Sequence, residues 1–173
     1  MDPDSCLLRW TELCNGITVM PLSLGAAFAL LLALMLLYTS GFVSASEIAF
    51  FSLSPSDLND IEEENHPSDS KIKALLDDSE RLLATILISN NFVNVTIIML
   101  LNYVFASVID FGEAKILEFL IVTVVLTFLL LLFGEIMPKI YSAQHTLKFC
   151  RKAAPVISFL KTLFSPLSAL LVR

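Results

Sequence analysis

A long apolar stretch, LSLGAAFALLLALMLLYTSGFV at Leu22–Val43, contains no charged side chain. As a helix with a rise of 1.5 Å per residue, it would extend about 33 Å. The hydrocarbon core of a bilayer is about 30 Å thick, so the stretch predicts a transmembrane helix. A cleavable signal peptide is the alternative, because Val43-Ser44-Ala45 resembles a cleavage site. The length of the apolar run and the acidic segment before it argue against that alternative.

Two more uncharged stretches follow, Leu82–Ile109 and Phe119–Gly134, and the second reaches spanning length when its neighbours are included. The composition agrees, with 56% hydrophobic and 16% charged residues and a mean hydropathy of +0.79. These values exclude a disordered chain and a disulfide scaffold, and the net charge of −6 excludes a basic nucleic-acid binder. We therefore predict an all-α membrane protein with spans at about 22–53, 80–109 and 116–138.

The positive charges predict the orientation of these spans. Nine of the 11 Lys and Arg residues lie in the connection between the first two spans or after the third. Because positive charge favours the cytoplasmic side, we expect an extracytoplasmic arm over residues 1–21, a cytoplasmic connection over 54–79 and a cytoplasmic tail over 142–173. Cys6 and Cys14 would lie outside, where pairing stays open, and Cys150 would lie in the reducing cytoplasm.

The segments outside the spans carry helix signals. Ser54-Pro55-Ser56-Asp57 is typical of a capped helix start, and Ser68 can cap a second short helix that ends near Leu76. The acidic run at 62–64 is most simply a solvated face. The tail has apolar residues at helical spacing, which predicts an amphipathic juxtamembrane helix. A fourth span is less favoured because Lys161 and Pro166 interrupt the run. The apolar positions are Val156, Leu160, Leu163, Phe164, Leu167, Leu170 and Leu171.

Polar residues at membrane depth mark the candidate site. The second span carries Asn90 and Asn94, which share one helix face, and the third ends in Gly134-Glu135-Ile136-Met137-Pro138. Pro138 has no N–H, so the carbonyl of Gly134 loses its helical partner. We expect an unwound, oxygen-lined helix end there, as in many transporters. By topology, these residues and Ser44 lie at similar depth in the cytoplasmic half of the membrane.

The candidate ligands are therefore Ser44, Asn90, Asn94 and Glu135. All offer hard oxygen donors, which suit Mg²⁺, Ca²⁺ or Na⁺ rather than zinc or copper. The secondary candidates are Ser46, Glu47, Ser89, Asn91 and Gly134, with Pro138 as the helix break. The simpler explanations are interhelical hydrogen bonding for the asparagines, favoured for Asn102, and an interfacial position for Glu135.

The sequence does not indicate an enzyme. It contains no HExxH, GxSxG or glycine-rich phosphate loop. His66 and His145 both fall outside the predicted spans, so a Ser–His pair at membrane depth cannot form with Ser44.

Three segments resemble the CNNM/CorC family of membrane proteins. SASEIAFFSLS at Ser44–Ser54 resembles the family's Ser-Ala-Ser-Glu-Ile-Ala segment. RLLATILISNNFVN at Arg81–Asn94 and FGEIMPK at Phe133–Lys139 resemble its second and third motifs. The family usually has Gly at the position of Ser89. The sequence at Phe50–Pro55 is most similar to that of the family's bacterial gliding-motility-associated branch.

The resemblance implies a homodimeric three-span domain in the bacterial inner membrane that exports Mg²⁺ in exchange for Na⁺. It implies a cation site formed by Ser44, Asn90, Asn94 and Glu135. Full-length members carry cytoplasmic CBS domains that bind ATP, and we expect this chain to be the membrane module without them. The competing hypothesis is a membrane anchor and dimerisation module for cytoplasmic domains or for a motility or secretion apparatus.

Overall fold

A computed structural model describes residues 18–110, 112 and 115–165 of the chain. Cys6, Cys14 and the last eight residues of the predicted tail helix lie outside this part. The described chain is almost entirely helical. Its elements are β1 Thr18–Val19, α1 Leu24–Phe51, α2 Pro55–Glu62, α3 Asp69–Leu76, α4 Ser79–Val108, β2 Ile109–Asp110, α5 Lys115–Leu129, a π-helix Leu130–Ile136, α6 Met137–Gln144 and α7 Thr146–Leu163.

Three helices are long and apolar enough to cross a membrane: Leu24–Phe51, Ser79–Val108 and Glu118–Gln144. The third combines α5, the π-helix and α6. The predicted all-α membrane fold with three spans is therefore confirmed. Early in α1, small Ala26 and Ala29 are buried, whereas Leu24 and Phe28 are exposed. This distribution is typical of membrane helices, in which small residues allow close packing and large apolar residues contact lipid.

The chain folds as two compact units. Among the described residues, the first contains 18–35 together with 96–110, 112 and 115–129. In it, β1 and β2 form an antiparallel pair in which Thr18 faces Asp110 and Val19 faces Ile109. The second unit contains residues 36–95 and 130–165 of the described chain. This second unit holds the candidate site.

The core of the second unit lies where α2, α3 and α7 pack around the ends of α1 and α4. Its buried residues are Val43, Ala49, Phe50, Ile61, Ile72, Leu75, Leu82, Ile86, Cys150, Ala153, Ala154 and Ile157. The connection between the first two spans consists of two short helices, as predicted, and both pack into this core. Ser54 caps α2 in a capping box with Asp57, also as predicted. Ser68 precedes α3, but its side chain makes no capping hydrogen bond, so that part of the prediction was wrong.

The predicted juxtamembrane helix is α7, and it buries a face of mostly small residues. Cys150, Ala153, Ala154 and Ile157 are fully buried, whereas Val156 is 41% exposed. Leu163, also expected on the apolar face, is 58% exposed. Small side chains allow α7 to pack closely against α3, and the larger apolar residues Val156 and Leu163 stay exposed.

The end of the third span does not unwind at Pro138, contrary to our expectation. Leu130–Ile136 forms a π-helix, and α6 continues directly from Met137 with Pro138 in its first turn. A π-turn already departs from the usual i→i−4 hydrogen-bond pattern, so the missing N–H of Pro138 falls where that pattern changes. The break is therefore a change of helix type, and Glu135 lies within it.

Candidate cation site

Ser40 lies at the centre of the candidate site. Its hydroxyl oxygen is 2.9 Å from Oδ1 of Asn90 and 2.6 Å from Oδ1 of Asn94. Ser40 is fully buried and Asn94 is 7% exposed. A serine hydroxyl has one proton to donate, so it can satisfy one of the two amide oxygens at a time. Two carbonyl oxygens and a hydroxyl thus converge in a nearly dry environment.

Asn94 also connects this group to the third span. Its Nδ2 donates a hydrogen bond of 3.2 Å to Oε1 of Glu135 in the π-helix. A continuous series of hydrogen bonds therefore joins Ser40 on α1, Asn94 on α4 and the carboxylate of Glu135. π-Helical turns occur frequently at functional sites because they reorient a few side chains within an otherwise regular helix.

A close contact between α1 and α6 holds this arrangement together. A Cβ added to Gly41 would lie 2.9 Å from Cγ of Pro138. Such a distance is too short for two carbon atoms, so the absence of a side chain at Gly41 is what permits the approach. A Cβ at Gly134 would lie 3.4 Å from Cδ1 of Leu37 and 3.6 Å from Oγ of Ser40, which are ordinary contacts.

Ser44, the predicted serine ligand, is buried but makes no hydrogen bond. Its residue is 0% exposed, and its Oγ has no partner among the described residues. Ser44 lies one helical turn after Ser40, so the two share a face of α1. Thr85 on α4 has the same property, since it is fully buried with an unpartnered Oγ1. An unsatisfied buried hydroxyl is costly and therefore needs an explanation, such as a ligand.

The secondary candidates are engaged elsewhere. Ser46 donates to the carbonyl of Phe42 and Ser89 to that of Thr85, so both hydroxyls bond within their own helices. Asn91 is exposed. Glu47 forms an ion pair of 2.8 Å with Lys139, and both side chains are partly exposed.

The donor set is suited to a hard cation. Within the described residues, no group of three or more His, Cys, Asp or Glu side chains is placed to hold a metal. The site instead combines one carboxylate with amide and hydroxyl oxygens, which are ligands of Mg²⁺, Ca²⁺ and Na⁺. A site with a single negative charge is expected to bind a cation with modest affinity.

Sequence reasoning identified Asn90, Asn94 and Glu135, and the structure places Asn94 in contact with Glu135. Ser40 is not among the candidates that the sequence predicts, although its hydroxyl contacts both asparagines. The signal was present, because Ser40 and Ser44 are four residues apart and lie on one face of the helix. Sequence reasoning also missed Lys139, whose partner is 92 positions away in the chain.

Comparisons with known proteins agree with this architecture. Residues 31–173 match the family described as the Cyclin M transmembrane N-terminal domain, or CNNM. The chain is 30% identical over 137 residues to a "UPF0053 protein" of Haemophilus influenzae, which covers 79% of this chain and 31% of the relative. It is 31% identical over 146 residues to the "metal transporter cnnm-4" of Caenorhabditis elegans, covering 82% of this chain and 30% of the relative.

A third relative is the "UPF0053 inner membrane protein YfjD" of Escherichia coli, which is 30% identical over 132 residues. That match covers 76% of this chain and 30% of the relative. The chain thus spans about a third of the length of the curated relatives that it matches. The match to the family extends from the first span through the juxtamembrane helix, and on this evidence the chain belongs to the CNNM family of membrane proteins.

Proposed function

We propose that this chain is the transmembrane part of a divalent-cation transporter, with Mg²⁺ as its cargo, and that it is not an enzyme. One observation carries the proposal. Three membrane-spanning helices contribute Ser40, Asn94 and Glu135 to one hydrogen-bonded cluster in which Ser40 and Asn94 are buried and Glu135 is partly buried, with Asn90 also in contact with Ser40. A polar cluster of this kind at membrane depth is costly, which favours a functional role. The printed name of the Caenorhabditis elegans relative supports metal as the cargo.

The cation would replace the hydrogen bonds of the empty cluster. The oxygens of Asn90 and Asn94 already converge on the hydroxyl of Ser40. At present the Nδ2 of Asn94 faces the carboxylate of Glu135. A cation bound by Glu135 and both amide oxygens therefore requires the side-chain amide of Asn94 to rotate, so that its Oδ1 faces the carboxylate. Ser44, one turn away, has a hydroxyl free to join them. Because Mg²⁺ loses its water reluctantly, several such oxygens are needed together.

We propose that the protein exports Mg²⁺ in exchange for Na⁺. We also propose that it lies in a bacterial inner membrane, with its N-terminus outside and its tail in the cytoplasm. The distribution of Lys and Arg residues supports this orientation. We also propose a homodimer, with cytoplasmic CBS-type domains in the full-length protein. The long helices expose large apolar residues, such as Phe92 at 66% and Phe128 at 62%, which can contact lipid or a second copy.

The test is Mg²⁺ flux into proteoliposomes, measured for the wild type and for Glu135→Gln with and without a Na⁺ gradient. Removing the carboxylate takes away the only charge that the proposed ligands supply, so flux should fall at least about tenfold. Glu118→Gln is the matched control, because it makes the same change at the other end of the same span. That variant should retain flux.

Two outcomes would contradict the proposal. Equal flux in the wild type and Glu135→Gln would remove the carboxylate from the transport site. A wild-type chain that neither moves Mg²⁺ nor gains thermal stability from it would favour the membrane anchor instead, since a ligand that binds the folded state must stabilise it.

A further inference from the structure

The second unit contains a cavity that the cation site does not use. Its volume is about 540 Å³, which lies in the range of sites that hold small organic molecules. Four of the residues that line it are aromatic: Tyr38, Phe42, Tyr141 and Phe149. The other five are His66, His145, Lys148, Arg151 and Lys152. The described lining thus includes five basic side chains and no Asp or Glu.

The positive charge of this cavity is only partly neutralised. Arg151 is paired with Asp69 through two hydrogen bonds. Lys148 and Lys152 are exposed and form no ion pair with any described residue. They are four residues apart on α7, so two like charges face the cavity from one side of the helix, an arrangement that is unfavourable unless an anion lies between them.

The helix terminus adds to this positive potential. α7 begins at Thr146, and His145 before it makes no capping hydrogen bond through its side chain. The first N–H groups of an α-helix lack partners within the helix, and its dipole is positive at that end. Lys148 lies in this first turn. The cavity therefore combines free cationic side chains with the N-terminal end of an 18-residue helix.

The aromatic residues form the remaining wall. The rings of Phe42 and Phe149 have centroids 5.3 Å apart, and Tyr141 stacks on His145 at 5.3 Å with an interplanar angle of 11°. Tyr38 is 78% exposed and Tyr141 is 59% exposed. Tyrosine is enriched at the boundary between the hydrocarbon core and the headgroups, where its ring is in an apolar layer and its hydroxyl in a wet one.

The position along the spans agrees with that boundary. A hydrocarbon core of about 30 Å takes about 20 residues of helix, so a span that begins at Leu24 leaves the core near Val43. Tyr38 and Phe42 lie in the last turns before that point. By the same count from Glu118, Tyr141 lies just beyond the core. The aromatic wall thus belongs to the membrane interface and the lysines to the headgroup layer.

We infer that this cavity binds the phosphate headgroup of an anionic phospholipid. Lys148 and Lys152 contact the phosphate oxygens, with the N-terminal end of α7 beside them, and the aromatic wall packs against the glycerol and the start of the acyl chains. Basic pockets beside transmembrane helices bind anionic headgroups by this chemistry. A soluble phosphate compound offers the same charge, but it has no apolar part for the exposed wall formed by Tyr38 and Tyr141.

The test is native mass spectrometry of the purified 173-residue chain, titrated with phosphatidylglycerol or with phosphatidylcholine of the same acyl chains. We expect phosphatidylglycerol to bind about thirtyfold more tightly, because each interfacial lysine contributes about a fivefold gain. Lys148→Gln/Lys152→Gln should abolish the preference, and Lys148→Arg/Lys152→Arg should retain it. Lys71→Gln/Lys73→Gln is the matched control, because it removes the same charge from α3 outside the cavity and should leave the preference intact.

Each remaining outcome would overturn the inference. An unchanged preference in a Lys148→Gln/Lys152→Gln variant that elutes as the wild type on gel filtration would place lipid binding elsewhere. Loss of the preference in the Lys71→Gln/Lys73→Gln control would show that the preference depends on the net charge of the protein and not on this cavity. Displacement of phosphatidylglycerol by equimolar inorganic phosphate or sn-glycerol 3-phosphate would assign the cavity to a soluble anion.

Discussion

Arg151 on α7 donates two hydrogen bonds to the carboxylate of Asp69 on α3, from Nε to Oδ1 at 2.8 Å and from Nη2 to Oδ2 at 3.0 Å. Asp69 is fully buried, and the side chain of Arg151 is 22% exposed. Its Oδ2 also accepts from the backbone N–H of His66. This pair joins the connection between the first two spans to the juxtamembrane helix, beside the apolar core that the two segments share.

Asp69→Asn should lower the free energy of unfolding by about 2–4 kcal/mol, because it removes the charge of a fully buried carboxylate and leaves the partly buried guanidinium of Arg151 without its charge partner. Chemical denaturation in detergent micelles measures this change. Asp78→Asn is the control, since the carboxylate of Asp78 is 39% exposed and pairs with Lys161 and Arg81, so its loss should cost less than about 1 kcal/mol. Equal losses in the two variants would contradict a special role for Asp69.

The same pair predicts a loss of stability in acid. The hydrogen bonds from Arg151 hold the pKa of Asp69 below its usual 3.8, and the N–H of His66 adds to this effect against the opposing effect of burial. Because the folded pKa is lower than the unfolded one, this stabilisation is complete above pH 3.8 and disappears as the pH falls through the folded pKa. The melting temperature of the wild type should therefore decrease when the pH is lowered below about 4. In Asp69→Asn, that part of the pH dependence should be missing.

Gly41→Ala should separate the first and third spans at the candidate site. The new Cβ would lie 2.9 Å from the ring of Pro138, which is rigid, so we expect a loss of about 1–3 kcal/mol. Gly134→Ala is the matched control, because its Cβ meets ordinary contacts and Ala favours a helix. Thermal unfolding of both variants measures the difference, and a Gly41→Ala protein as stable as Gly134→Ala would refute the close contact.

Ser44→Ala should make the protein more stable in the absence of Mg²⁺. It should also reduce the rise in melting temperature that Mg²⁺ produces. Removing a buried hydroxyl that lacks a partner should stabilise the empty protein by about 1 kcal/mol. If this hydroxyl binds the cation, the rise in melting temperature with Mg²⁺ will be smaller in the variant. Thr85→Val is the control, because it also removes an unpartnered buried hydroxyl and should keep the full response to Mg²⁺. An identical response in Ser44→Ala would exclude Ser44 as a ligand.

Glu47→Gln should leave the Mg²⁺ response intact, in contrast to Glu135→Gln. The carboxylate of Glu47 is already bound to Lys139 at 2.8 Å, and both side chains are partly exposed. Its loss should change stability by less than about 1 kcal/mol. Melting temperatures with and without Mg²⁺ compare the two variants. A loss of response in both would make Glu47 a second carboxylate of the site.

Much of the fold is readable from the sequence because its signals are local. Apolar runs without charge predict the three spans, and the Ser54 cap depends on residues three positions apart. The candidate residues Asn90, Asn94 and Glu135 stand out because polar groups are costly at membrane depth. The sequence does not predict the π-helix, since Pro138 indicates a disturbance of the helix but does not specify which helix type the backbone adopts.

The number of spans, the helical connection and most of the polar residues of the site thus follow from the sequence alone. Which of these residues meet depends on how the helices pack. Ser40 contacts Asn94 across 54 positions of the chain, and Asp69 pairs with Arg151 across 82. Such contacts depend on the rotation of each helix about its axis and on its displacement along its neighbour. Each residue turns a helix by about 100°, so small differences in packing decide which side chains face each other.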